Sequence, residues 1–275
     1  MYVEQLLPAE PDDARPIVLV HGGGGQGTDW LAGADGRPGW AELIVATGRS
    51  VHVVDRPGFG RSPGRLPAQG VVPMTARLFA AGDQDGHTQW PGPGGPDDPL
   101  VRALAAAASG LAADLAAAQE TEFRLMTGVL ERIGPAVLIT HSLGACAGWL
   151  VAWRRPDLVA AVVALEPPPP FLIVPGTPLD LAHGLTATPL GERVPAQIPI
   201  AVVEAEASAM AAGCRAVSAA LSEAGLPAEH IRLADHGVHG NGHGLMLERN
   251  HDAVLDVVLN WLFAASNRTE TGERR

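Results

Sequence analysis

The 275-residue chain reads as a doubly wound α/β protein: a mostly parallel sheet with helices on both faces and irregular lid loops. Three observations carry this. Short apolar runs rich in β-branched residues are nearly continuous rather than alternating, so both faces of each strand are buried, as in a parallel sheet. Stretches of helix-forming composition separate them. Two glycine- and proline-rich segments interrupt the alternation, each after the carboxyl end of a strand, where open α/β sheets hold their ligands.

In chain order, strands are expected at 17–21, 51–55, 136–141, 160–166, 198–204 and 230–235. Helices are expected at 40–47, 100–133, 143–154, 207–224 and 247–263. The alanine-rich "ALAAAASGLAADLAAAQE" supports the second helix, because alanine is the strongest helix former. The third stops at "RRPD", basic residues followed by proline. Segment 63–99 contains "WPGPGGPDDP", and segment 167–199 opens "PPPPFLIVPG". Strands of one sheet continue on both sides of each, so residues 1–275 form one domain and these segments are walls or a lid over a pocket.

Composition narrows the function. Hydrophobic residues make up 47% and charged residues 18%, the balance of a folded globular protein. A net charge of −11 leaves no basic stripe to displace counterions, which argues against nucleic acid and an anionic membrane surface. Cys146 and Cys214 are too few for a disulfide scaffold, so a reducing compartment is the simpler assumption. "MYVEQLLPAEPDDARP" lacks the basic start and apolar core of a secretory signal. No apolar run approaches the roughly 18 residues of a membrane span. The expectation is a soluble cytoplasmic protein, with leucine and valine on the last helix permitting a homodimer.

The strand ends gather chemistry. "HGGGGQGTDW" (21–30) follows the first strand, "DRPGFGRS" (55–62) the second, Ser142 the third, Glu166 the fourth, and "DHGVHGNGHGLMLERN" (235–250) the last. A hydroxyl, a carboxylate and imidazoles thus converge beside a glycine-rich loop, as acyl transfer requires. Ser142 alone could equally be a helix N-cap; the neighbouring strand ends favour a nucleophile on a strand-to-helix turn. Its pentad, Thr140 to Gly144, carries threonine where such turns usually carry glycine, while Gly144, Ala145 and Ala147 leave room on the helix side. The glycine run suits an oxyanion loop in which Gly23 and Gly24 offer backbone N–H groups, joined by that of Leu143.

For the base, chain order leaves His236, His239 and His243 after the last strand, and His243 is favoured because it sits late in the loop, flanked by Gly242 and Gly244, just before the final helix. His21 is expected to turn inward and brace its loop. For the acid, Glu166 ends an apolar strand before four prolines, whereas Glu204 and Glu206 could begin a solvated helix; the residues favour Glu166 without excluding the others. The late histidines lie in a glycine-broken loop, not on one helical face, so no metal and no cofactor is expected.

Over nearly its whole length the chain resembles the α/β-hydrolase superfamily, and so its fold. More narrowly, it is similar to an esterase-like bacterial and fungal group whose catalytic acid follows the sixth strand. "HGGGGQGTDW", "HTQWPG" (87–92), "THSLGA", "GWLVAWRRPDLVAAVVALEP" (148–167) and "HGNGHGLMLERN" (239–250) carry the likeness. The resemblance implies Ser142, Glu166 and His243 as the triad, with Ser142 and Glu166 standing 24 residues apart. It implies hydrolysis of a small-molecule ester or, as in a zearalenone-type lactonase, a lactone. His87 and Trp90 of "HTQWPG", with Trp30, are candidate pocket residues. Two other readings keep the fold: the same triad used for carbon–carbon cleavage, cyclisation or elimination, and a non-catalytic ligand-binding protein.

Overall fold

In a computed structural model of the chain, residues 1–12, 14–62, 71–80, 86–169, 171–174, 177–180, 198–223, 226 and 228–271 are described, with backbone alone at 71–74, 171–174, 177–180 and 267–271. Nine strands are present among them: β1 (Tyr2–Leu6), β2 (Ile17–Val20), β3 (Val51–Asp55), β4 (Ala136–His141), β5 (Val159–Leu165), β6 (Phe171–Val174), β7 (Thr177–Asp180), β8 (Ile200–Glu204) and β9 (Ala228–Arg232). Seven form one sheet in the order β1-β3-β2-β4-β5-β8-β9, while β6 and β7 pair with each other. β1 runs antiparallel to β3, and the other neighbours in the large sheet are parallel.

The helices are α1 (Trp40–Val45), α2 (Val71–Phe79), α3 (Pro99–Ala107), α4 (Leu115–Ile133), α5 (Ala145–Arg154), α6 (Ala211–Glu223) and α7 (His251–Thr271). Successive side chains of a strand point to opposite faces, and the core divides accordingly. Ile17, Leu19, Val53, Ile139, Val163 and Val203 pack with residues of α1 and α7. Val18, Val20, Leu138, Val162 and Val202 pack with residues of α4, α5 and α6. The chain therefore lays helices on both faces, as its unbroken apolar strands predict.

Several boundaries differ from the sequence expectation. The helix expected at 100–133 is two helices, because Ser109 and Gly110 are weak helix formers and the Asp114 carboxylate caps α4 through the Ala117 N–H at 2.9 Å. The last helix starts at His251 because turns closed by Leu247 N–H to Gly244 O (2.7 Å) and His251 N–H to Glu248 O (3.1 Å) occupy the preceding residues. Its Val254, Leu255, Val258 and Leu259 are buried in the core, so they do not form the exposed apolar face invoked for a homodimer. β9 stops at Arg232, and 233–236 form a 3-10 turn instead of more strand. β1 carries Glu4 and Gln5 on a half-exposed edge and gives no continuous apolar signal. The supposed irregular segments contain α2 and the β6–β7 pair; their remainder at 63–70, 81–85, 170, 175–176 and 181–197 lies outside the described residues. Among the described residues, no helix is long and apolar enough to cross a membrane.

Glycine sets how closely α5 approaches the sheet. A Cβ on Gly144 would lie 2.5 Å from the His21 carbonyl oxygen at the end of β2. Further along α5, a Cβ on Gly148 would lie 3.1 Å from Thr140 Cγ2, so the larger residue of the turn is accommodated by a glycine one helical turn beyond it. Gly144 has ordinary helical angles, φ −62° and ψ −23°, and only the close approach opposes a side chain there. Gly144→Ala is expected to lower stability by about 1–3 kcal/mol in urea unfolding. Equal or higher stability, as helix propensity alone would give, would refute the packing.

Candidate active site

β4 delivers Ser142 to a sharp turn. Its φ is +49°, and that of Glu166 is +51°; among the described residues these are the two non-glycine residues with positive φ. Left-handed backbone at such residues costs on the order of 1–3 kcal/mol and is held in place by its surroundings. Ser142 opens a single 3-10 turn, Ser142–Gly144, that leads into α5. The N-cap position of α5 is Gly144 and carries no side-chain cap, so Ser142 does not serve as a capping serine.

Glu166 follows β5 and is fully buried. Its Oε2 lies 3.3 Å from His243 Nδ1 and also accepts the Ser208 hydroxyl. Its Oε1 accepts the Ala205 N–H at 2.7 Å and the Cys214 thiol at 3.6 Å. Burial pushes the carboxyl up to about 7, against the pull of those donors. Burial pushes the His243 imidazole down to about 4, opposed by the charge of Glu248. The ring is therefore neutral at pH 7 and able to accept a proton.

The competing groups are engaged elsewhere. Glu204 binds Arg215 at 2.9 Å and His230 at 3.0 Å. Glu206 accepts from His239 at 3.2 Å and the Gly240 N–H at 3.1 Å. His236 is exposed at the end of its 3-10 turn.

His141 ties the Ser142 turn to the His243 loop. Its Nε2–H donates to the His243 carbonyl at 2.9 Å, and the two rings stand 4.6 Å apart. Phe79 of α2 packs against both rings. Among the described residues no hydrogen bond joins the Ser142 hydroxyl to the His243 ring; such contacts are often long before substrate binds.

The glycine loop is pinned from behind. Arg56 N–H donates to His21 Nε2 at 3.0 Å, which fixes the tautomer, so His21 Nδ1–H donates to Gly22 O at 2.8 Å. Burial, followed by the Arg56 charge, pushes His21 down to about 3 and keeps it neutral. Arg56 Nη1 adds a second bond to Gly22 O at 3.0 Å, and its guanidinium pairs with buried Glu122 of α4 at 2.8 Å. In a trans peptide the carbonyl and the next N–H point opposite ways. Two donors holding Gly22 O thus turn the Gly23 N–H away from them. A Cβ on Gly23 would meet Leu143 Cδ1 at 2.5 Å, which puts the loop directly beside the Ser142 turn. Gly24 has φ +76°, and its carbonyl accepts the Ser109 N–H at 3.2 Å.

The "HTQWPG" segment braces the opposite side. His87 Nε2 bonds Glu248 Oε1 at 2.8 Å; that oxygen also accepts the Gly242 N–H at 2.9 Å, and Oε2 accepts Asn241 at 2.7 Å. Trp90 is buried and donates to Asp98 at 2.6 Å, the residue that caps α3. His87 and Trp90 border a cavity of about 290 Å³ with Thr88 and Arg249. His87 also borders one of about 410 Å³ with Arg77, Glu206 and Ser208. Trp30, expected in the pocket, is 0% exposed and packs 5.6 Å from Trp40 in the core, because its 3-10 turn directs it inward. Sequence reasoning did not single out Arg56, Glu122, Ser208, Asn241 or Glu248. Arg56, Asn241 and Glu248 stand within quoted motifs, whereas Glu122 and Ser208 carry no local signal.

Comparison with known proteins agrees with the fold. The family described as alpha/beta hydrolase fold matches residues 15–181. The chain is 33% identical over 311 aligned residues to the probable secreted lipase phiG of Fungal sp. (strain ATCC 74256), covering 95% of this chain and 85% of that one. It is similar to the structure of a novel bacterial esterase, with a TM-score of 0.64 at 25% identity over 96% of this chain and 85% of the other. The Paleococcus ferrophilus monoacylglycerol lipase, at 16% identity, shares the fold with a TM-score of 0.56 over 96% of this chain and 100% of its own. Lipase and esterase relatives support a carboxylic ester hydrolase. The cytoplasmic expectation is overturned by the relative that is a probable secreted lipase.

His87→Ala would remove a donor from a buried carboxylate and the ring against which Gly242 packs. The expected loss is about 1–3 kcal/mol in urea unfolding at pH 7. A change within about 0.5 kcal/mol, the range of ordinary surface substitutions, would show that the loop stands without this brace.

Proposed function

Because the chain belongs to the alpha/beta hydrolase fold family, we propose that it is a cofactor-independent serine hydrolase cleaving a carboxylic ester or lactone through an acyl-enzyme. The observation that carries the reading is the buried contact of 3.3 Å between Glu166 and His243, whose loop His141 ties to Ser142 on its left-handed turn.

Ser142 Oγ attacks the substrate carbonyl while His243 Nε2 takes its proton. Glu166 holds Nδ1–H, keeping the free nitrogen turned toward the serine and stabilising the imidazolium that forms. The Gly23 N–H, with Gly24 beside it, and the Leu143 N–H receive the developing oxyanion; the pinned Gly22 carbonyl supports Gly23 in that role. His243 then protonates the leaving alcohol or, in a lactone, the ring oxygen. Water, deprotonated by His243, attacks the acyl-serine and releases the acid with Ser142 restored.

His87 and Trp90 are proposed as borders of the substrate site, with the first also steadying the His243 loop. Substrate is a small molecule, and nucleic acid and membrane have no part in the reading. Secretion, as the lipase relative is named for, is the location the proposal adopts.

Ser142→Ala should leave folding intact and lower kcat on 4-nitrophenyl esters by at least about 10³-fold. A fluorophosphonate should label the parent at Ser142 and the variant nowhere. Residual turnover above about a tenth of the parent's, which serine-to-alanine triad variants do not retain, would retire this serine. Product analysis on esters and lactones then separates the two substrate classes and exposes any carbon–carbon cleavage.

Activity should also fall on the acid side, in a direction set by the buried pair. The active form needs Glu166 ionised and His243 neutral, so a proton taken up by either lowers kcat/KM. With the carboxyl raised to about 7, the decline should begin near neutrality. A kcat/KM flat from pH 8 to pH 5 would contradict the assignment.

A further inference from the structure

Among the described residues Glu166 receives four donors, and three of them are enclosed: the Ala205 N–H, the Cys214 thiol and His243 Nδ1–H. The fourth, the Ser208 hydroxyl, is half-buried and borders the cavity of about 410 Å³. It comes from the segment after β8, while Glu204 at the end of β8 and Glu206 turn away to other partners. From this arrangement we infer that Ser208 is a positioning residue of the proposed triad: its O–H donates to Glu166 Oε2, holding that carboxylate ionised and in line with His243.

The direction of the bond follows from its neighbours. Ser208 Oγ accepts the Met210 N–H at 3.0 Å, so one lone pair is used and its proton is free to point at Glu166. An ionised carboxylate can only accept, and among the described residues the hydroxyl is the only partner of Oε2 besides His243. Both bonds on Oε2 therefore favour the charged form, and both weaken when the carboxyl takes a proton there. The thiol adds little, since S–H is a weak donor, though burial pushes its titration upward and keeps it protonated. Around the pair stand the other titratable groups: His141 of β4 against the His243 ring, Glu248 behind the His243 loop, and Glu204 of β8 beyond Cys214. None of these gives Glu166 a hydrogen bond among the described residues.

The inference rests on the triad proposed above, and its test separates the two. The pH profile of kcat/KM on 4-nitrophenyl butyrate is measured for the parent, Ser208→Ala, Ser208→Thr and Ser208→Cys, with fluorophosphonate labelling of Ser142 alongside. Loss of the donor makes Glu166 easier to protonate, so Ser208→Ala should move the acid limb up by about one pH unit, a tenfold loss of rate below the limb, with KM little changed. Ser208→Thr keeps the hydroxyl and should restore the parent profile. Ser208→Cys, a weaker donor of similar size, should move the limb in the same direction by less, and it serves if the alanine variant does not fold. A limb that stays in place in Ser208→Ala or, failing that, Ser208→Cys overturns the role of Ser208 while leaving the triad. A parent that fluorophosphonate does not label overturns the triad, and this role with it.

Discussion

A carboxylate withdrawn from water must find hydrogen-bond donors in the protein, or its charge costs several kcal/mol. At the carboxyl end of this sheet, that requirement fixes where four chain segments lie. Glu166 hangs from β5, and its donors come from the strand end after β8, from the turn before α6, from α6 itself and from the loop after β9. Each segment is held by its own frame: the strands by the parallel ladder, α6 by the apolar layer beneath it. The imidazole is thereby oriented by elements that cannot shift independently.

The same logic recurs on either side of the turn at Ser142. A buried guanidinium and a neutral imidazole hold the Gly22 carbonyl, and Glu122 neutralises the guanidinium from α4. Across the site a second buried carboxylate, Glu248, collects His87, Asn241 and the Gly242 N–H. Groups of opposite tendency, some donating and some accepting, therefore flank the strained residue and make its backbone geometry affordable. Loops carry the reactive atoms, and buried polar anchors tie the glycine loop to α4 and the His243 loop to the His87 segment.

The parallel strands were readable because burial on both faces forces unbroken apolar runs, and β2 to β5 show that pattern plainly. β1 hid because an edge strand needs no such run. The break between α3 and α4 was passed over because Ser109, Gly110 and Asp114 are a weak local signal inside an alanine-rich stretch, and the bond from the Ser109 N–H to Gly24 O that reinforces the break is long-range. Glu166 and Glu204 could not be separated locally. What distinguishes them is that Arg215 and His230, distant in sequence, claim Glu204. Trp30 misled for a similar reason: its neighbours in sequence are polar and flexible, but its turn aims it at Trp40. Residues whose roles depend on a partner far along the chain, such as Ser208, leave no mark in composition or spacing.

The crossing of Thr140 and Gly148 has a consequence for how such chains diverge. Volume there is shared between strand and helix, so bulk gained on one side must be surrendered on the other. Descendants can trade it across the pair, with a small residue in the strand permitting a larger one in the helix, whereas Gly144, facing a fixed carbonyl, has nothing to exchange. A signature that demands glycine at the strand position alone would discard this chain, although the space that glycine normally provides survives eight residues downstream.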